Sequence, residues 1–164
     1  MGTDLISDGH GRQIATSRQP VNVSQATVRA QATAVIAERT SWEAYPEIWP
    51  RLLDEVWSAV GPRRAEMAPG RNVMLYKDDV PNVEVGVEVA GSFAPLGRVI
   101  ASALPAGRVV VATHRGSWDV GSTHRAVIRE CDRLGLERIG TRWEIYGHFN
   151  APGDEEVEIY YLLR

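Results

Sequence analysis

The sequence predicts an α+β fold made of two copies of a strand-helix-strand-strand unit, and three observations carry that prediction. Two segments repeat apolar residues at three- and four-residue steps, as one buried face of a helix does. The segments around them alternate apolar and polar residues with a period of two, as half-buried strands do. Motifs of the first half return in the same order in the second. Six strands and two helices follow, arranged as antiparallel sheets with pseudo-two-fold symmetry. The helices are expected on one face and a ligand groove on the other.

Taken in order, residues 1–20 are polar and aperiodic, with Gly2, Gly9, Gly11 and Pro20, and read as a flexible leader. Residues 21–164 read as a single domain. From Val21 to Arg39 the β-branched Val23, Val28, Val35 and Ile36 predict a strand. The first helix runs from Tyr45 or Pro46 to Val60, with Ile48, Trp49, Leu52, Leu53, Val56, Trp57 and Val60 on one stripe. Pro46 suits its first position, and Gly61-Pro62 is expected to stop it. Val73-Met74-Leu75-Tyr76 is a short strand. In the next, Val83, Val85, Val87 and Val89 form a buried face, while Glu84 and Glu88 fall on the other, which is open or lines a site.

Residues 91–107, with Pro95, Gly97 and Pro105, read as a connection between halves. Arg108–His114 is a buried strand. A second helix covers 119–134, with Val120, Val127, Ile128, Cys131 and Leu134 inward and Gly135 as its stop. The strand 140–149 puts Trp143, Ile145 and Phe149 on one face, read as the helix side, and Arg142, Glu144, Tyr146 and His148 on the other. A turn at Asn150-Ala151-Pro152-Gly153 leads into the last strand, Val157–Leu163.

The duplication is visible residue by residue. Arg39, Ser41, Trp42 and Glu43 match Arg115, Ser117, Trp118 and Asp119, each set standing between an apolar strand and an amphipathic helix. Gly70 and Tyr76 match Gly140 and Tyr146, and Val83-Glu84-Val85 matches Val157-Glu158-Ile159. The repeats span about 24–90 and 107–164. Residues required by the common plan recur in both halves. Trp42 and Trp118 do, which favours packing at the helix starts. Glu144 does not, because its counterpart is Met74. That asymmetry singles it out.

The composition sets limits on function. With 44% hydrophobic and 24% charged residues the chain is ordinary for a globular protein. A net charge of −3 speaks against a nucleic-acid partner. One cysteine, Cys131, permits neither an internal disulfide nor a thiolate metal cluster. His10, His114 and His124 show no metal-ligand spacing. No metal or cofactor, no membrane partner and a cytoplasmic location are expected.

Glu144 carries most of the chemistry. A carboxylate in an apolar cradle loses hydration, so it either attracts a cation or works as a general acid or base. The competing reading is an ion pair with Arg142 or Arg138. Tyr146, Tyr76 and Tyr160 offer flat surface for stacking and cation–π contact, or are ordinary half-buried packing. Glu84 and Glu88 either supply a second acid or form a solvated edge. His148 is a candidate proton relay, and Ser41 and Ser117 are helix caps.

His114-Arg115-Gly116-Ser117-Trp118-Asp119, then a helix, Gly135-Leu136 and Trp143-Glu144-Ile145-Tyr146 occur in an order that resembles the GyrI-like small-molecule-binding domain. This is the effector-binding domain family of bacterial transcription activators, and the resemblance covers Ser24 to Arg164. It implies the same duplicated unit and a groove between the halves, on the sheet face away from the helices, with Glu144 at its floor. It also implies flat, often cationic, aromatic ligands. Tyr146, Tyr76, Trp118, Trp42 and Glu84 are the further binding candidates that the residues themselves offer. Some stand-alone members hydrolyse cyclopropane-containing toxins, which would make Glu144 a water-activating residue. Regulators in the family carry a separate DNA-binding module. The sequence shows no helix-turn-helix pattern, so direct nucleic-acid binding is not expected.

Overall fold

A computed structural model describes residues 4–7, 13–16, 21–147 and 149–164. Within the segment read as a leader, β1 (Asp4–Ser7) and β2 (Gln13–Thr16) pair antiparallel. The rest is α+β. The strands are β3 (Val23–Val28), β4 (Gln31–Arg39), β5 (Asn72–Tyr76), β6 (Asn82–Glu88), β7 (Ile100–Leu104), β8 (Gly107–Arg115), β9 (Arg138–Tyr146) and β10 (Glu156–Leu163). They form one antiparallel sheet in the order β3-β8-β10-β9-β5-β6-β4-β7. The main helices are α1 (Tyr45–Val60) and α3 (Gly121–Leu134).

The helices begin and end where local chemistry places them. Pro46 lies in the first turn of α1 with Glu47, an acid suited to the positive helix end. Ser41 Oγ accepts the Ala44 N–H at 3.1 Å in the turn before α1, but the helix's own N-cap is Ala44, with no side-chain cap. Ser117 instead bonds His114 Nε2 at 2.9 Å, and α3 has no side-chain cap. Gly61-Pro62 ends α1, but the chain continues through a 3-10 turn, Gly61–Arg63, and α2 (Arg64–Met67). Gly135 stops α3 in the left-handed conformation (φ 65°), with Leu136 N–H closing on the Cys131 carbonyl at 2.9 Å.

Two extra strands account for the difference between the six expected and the eight in the sheet. The segment read as one strand, Val21–Arg39, bends at Arg29-Ala30 into β3 and β4. The connection between halves contains β7. Val28 pairs with Gly107, and Gln31 pairs with Leu104, in one continuous register. So β3–β4 and β7–β8 are two long bent strands laid side by side. Each unit thereby gives its first strand to the other half: β3 pairs with β8, and β7 with β4.

The halves meet at β5 and β9, where Met74 is the register partner of Glu144. These are the two residues that the repeat equates, so the pseudo-two-fold axis passes between them. The core has three parts. Leu52, Val56 and Val60 of α1 pack on Met74, Tyr76, Val83, Val85 and Val87. Val127 and Cys131 of α3 pack on Val110, Val157, Ile159 and Tyr161. The opposite sheet face holds a third cluster with no helix in it, namely Val35, Val73, Leu75, Leu104, Val109, Trp143 and Ile145. Full burial of each large aliphatic contributes about 1.5–3 kcal/mol.

That third cluster corrects the expected sidedness. Trp143 is core, but it faces away from the helices, and Tyr160 stacks on it at 5.3 Å. Glu144 faces the helices. The face expected to hold the groove is filled.

Candidate functional site

Glu144 lies at the centre of the sheet between the two helices, 3% exposed. Its carboxylate is surrounded by donors from three elements. Tyr76 of β5 donates its O–H to Oε1 at 2.7 Å, and Tyr146 of β9 donates to the same oxygen at 2.9 Å. His124 of α3 places Nε2 2.6 Å from Oε2, and its Nδ1 lies 2.6 Å from the Tyr161 hydroxyl. The acid is therefore neither unpaired nor in an ion pair with Arg138 or Arg142. Arg142 pairs with Asp79 at 3.1 Å and covers the rings of Trp42 and Tyr76.

The tyrosines are held in the donor form. Burial, followed by the Glu144 charge, raises the Tyr76 and Tyr146 pKa values well above the ordinary phenol range. Burial pushes Tyr161 up to about 12. Tyr45, at the start of α1, adds a fourth ring at 5.5 Å from Tyr76. Its hydroxyl is buried with no hydrogen-bond partner among the described residues, and burial raises its pKa also.

Beside this cluster opens a cavity of about 640 Å³. Trp49, Leu53 and Trp57 of α1 form one wall, and Trp118 and Phe149 contribute to another. Met74 and Tyr146 line it over the sheet, and Arg64 contributes a cation. Trp57 is fixed by its Nε1–H donating to Asn72 Oδ1 at 2.8 Å. Trp118, 45% exposed, lies 5.8 Å from both Tyr146 and Phe149.

The residues singled out in the sequence separate into three places. Glu144, Tyr146 and Tyr76 are together. Of these only Tyr146 reaches the cavity; Glu144 and Tyr76 lie behind its lining. Trp118 is a wall, in contact with Tyr146. Trp42 occupies the repeat-equivalent position in the other half, packed on Tyr76 at 5.5 Å and on Tyr45 at 6.3 Å, away from the cavity. Glu84 is elsewhere. Its register partner is Leu75, so it lies on the face away from the helices, buried and 2.5 Å from Lys77 Nζ. Glu88 bonds Arg71 on that face, so neither acid pairs functionally with Glu144. Tyr160 is on the far face too. The alternation ends with β9 at Tyr146, which frees Phe149 to turn into the cavity. His148 lies outside the described residues.

His124 is the site residue that spacing did not single out. The signal was present: it falls between Val120 and Val127 on the inner stripe of α3, a polar residue in an apolar row. Among the described residues, no group of three His, Cys, Asp or Glu side chains is placed to hold a metal ion. No helix there is long and apolar enough to cross a membrane.

No family model matches the chain, and no curated protein matches its sequence. Solved structures do match. The C-terminal domain of EcmrR superposes with a TM-score of 0.73 at 14% identity, covering 89% of this chain and 99% of that one. The chain has the fold of a GyrI-like effector-binding domain. SAV2435 bound to tetraphenylphosphonium matches with a TM-score of 0.66 at 11% identity, over 87% of this chain and 94% of that one. A hydrolase from Listeria innocua matches at 0.57 and 10% identity, over 87% and 91%. At these identities the likeness is one of fold.

Proposed function

We propose that the chain binds a hydrophobic, aromatic small molecule in the cavity between α1 and the Trp118–Phe149 wall, with Tyr146 connecting the ligand to Glu144. The observation that carries this reading is an aromatic-walled cavity set against a buried, hydrogen-bonded acid. Indole and phenol rings give a planar ligand large contact area with few torsions to freeze. A protein of the same fold bound to tetraphenylphosphonium supports the reading. The test is titration with aromatic dyes, read by tryptophan fluorescence. Trp118→Ala should weaken binding about tenfold, as loss of a wall contact of about 1.4 kcal/mol would. Leu53→Arg, which fills the cavity, should abolish it. Binding unchanged in both variants would sink the proposal.

A second reading, hydrolysis of a strained electrophile such as an activated cyclopropane, has one specific observation in its favour. Tyr146 lines the cavity and donates its hydroxyl to Glu144, which forms with His124 and Tyr161 a continuous hydrogen-bonded chain behind it. Water would add to one ring carbon as the ring C–C bond breaks. The bond's electron pair would pass to the activating group on the other ring carbon, which takes up a proton from solvent. The water's own proton would pass through Tyr146 to Glu144. Product formed by the wild type and absent in Glu144→Gln would establish the enzyme; wild-type product at the buffer rate would remove it.

A further inference from the structure

The cavity has a charge pattern of its own. Among the described residues, its lining contains two arginines, Arg64 and Arg71, and no aspartate or glutamate. The Arg71 guanidinium is occupied by Glu88 at 3.0 Å and Glu158 at 2.6 Å. Both acids belong to the sheet face away from the helices. Arg64 has no acid at ion-pair distance among the described residues, and its guanidinium lies over the Trp57 ring at 6.0 Å from the centroid. The cavity's uncompensated charge is thus positive.

Glu144 does not reverse this. It is 3% exposed, and its two oxygens already take three internal contacts. The place at which a ligand cation would face it is filled by His124 from the protein's own helix. A cation that reached Glu144 would have to displace one of these contacts, leaving a buried polar group without its partner. It would also pass Arg64.

From these facts we infer that the cavity selects aromatic ligands that carry an anionic group, of the carboxylate or sulfonate class, and that Arg64 sets this preference. The inference rests on the cavity being the ligand site. Arg64 suits the role physically. A guanidinium lying on an indole presents its N–H edge sideways, free to meet two oxygens of an anion in parallel. The indole beneath is itself fixed by Asn72, so little freedom is lost on pairing. Arg64 is exposed, which lets the ligand's charge stay hydrated while its rings enter against Trp57 and Trp118. The ligand is oriented by charge: rings inward, anion outward.

Two probes with one ring system test this: anilinonaphthalene sulfonate and the uncharged phenylnaphthylamine. Tetraphenylphosphonium serves as a cationic competitor. At low salt the sulfonate should bind about fivefold to tenfold tighter than the neutral probe, the range for one exposed but well-oriented ion pair. Added salt should narrow the gap. Arg64→Gln should remove the preference and leave the neutral probe's affinity in place. The inference is overturned if Arg64→Gln keeps the preference, if it weakens both probes equally, or if the phosphonium binds more tightly than the sulfonate. A neutral probe that binds normally while the preference is absent defeats this inference alone. A neutral probe that fails to bind, or binds regardless of Leu53→Arg, defeats the cavity reading and this inference with it.

Discussion

Glu144 is held by residues that are far apart in the chain: Tyr76, His124 and Tyr146. The sequence made the acid visible because its repeat counterpart is Met74, but its partners were not all visible. Tyr146 and Tyr76 could be read from the repeat. His124 could not be read from metal spacing, since its role depends on where α3 crosses the sheet. His124→Ala removes a hydrogen bond to a buried carboxylate and leaves Tyr161 without its partner. It should cost about 1.5–3 kcal/mol in urea unfolding at neutral pH; an unchanged midpoint would contradict the network. The tyrosines also imply a pH dependence. Their folded pKa values are raised above the unfolded value, so the native state holds these protons more tightly. The resulting stability is complete below about pH 10. For Tyr161 it is lost as pH rises toward about 12. Urea midpoints should therefore fall above about pH 10, and Tyr161→Phe should fall less steeply.

At the scale of elements, α1 and α3 were legible because a 3.6-residue apolar stripe has no competing explanation in this chain. The strands were legible in position but not in sidedness. Alternation separates two faces, yet both faces of β5 and β9 are buried here, one by the helices and one by the cluster around Trp143. Pattern alone cannot say which is which. β7 was missed because Ala101, Ser102 and Ala103 give an edge strand no strong alternation. Gly86 of β6 stands on the strand face of Glu84 and Glu88. A Cβ there would stand 1.9 Å from the Ala34 carbonyl oxygen, on backbone that cannot move aside. Gly86→Ala should therefore destabilise by about 3 kcal/mol or more, measured by urea unfolding. Met74→Glu should cost about as much at neutral pH, because it places a second carboxylate directly opposite Glu144. Its penalty should shrink in acid as one of the two takes a proton.

For the whole molecule, duplication was legible from the matched motifs, but the exchange of first strands was not. The matched motifs begin at Arg39 and Arg115, and the second repeat as read, 107–164, leaves β7 out. The exchange makes the halves interdependent. A fragment ending at Pro95 lacks β7 beside β4, and one starting at Leu96 lacks β3 beside β8. Neither should fold alone by circular dichroism, while an equimolar mixture should recover native signal. The intact chain should unfold in one transition, with tryptophan fluorescence and circular dichroism coinciding. Separate transitions for the two probes would show that the halves are independent.

The axis between Met74 and Glu144 has one more consequence. If a single unit of this kind assembled as a symmetric homodimer, whatever residue stood on the axis would face its own copy. A lone acid there would be impossible: the dimer would carry two carboxylates in contact, or none. Joining two copies in one polypeptide lifts that restriction, because the partners at the axis can then mutate separately. The covalent link thus does more than hold the halves together. It permits a centre with one acid and one apolar partner, which no self-paired subunit could encode.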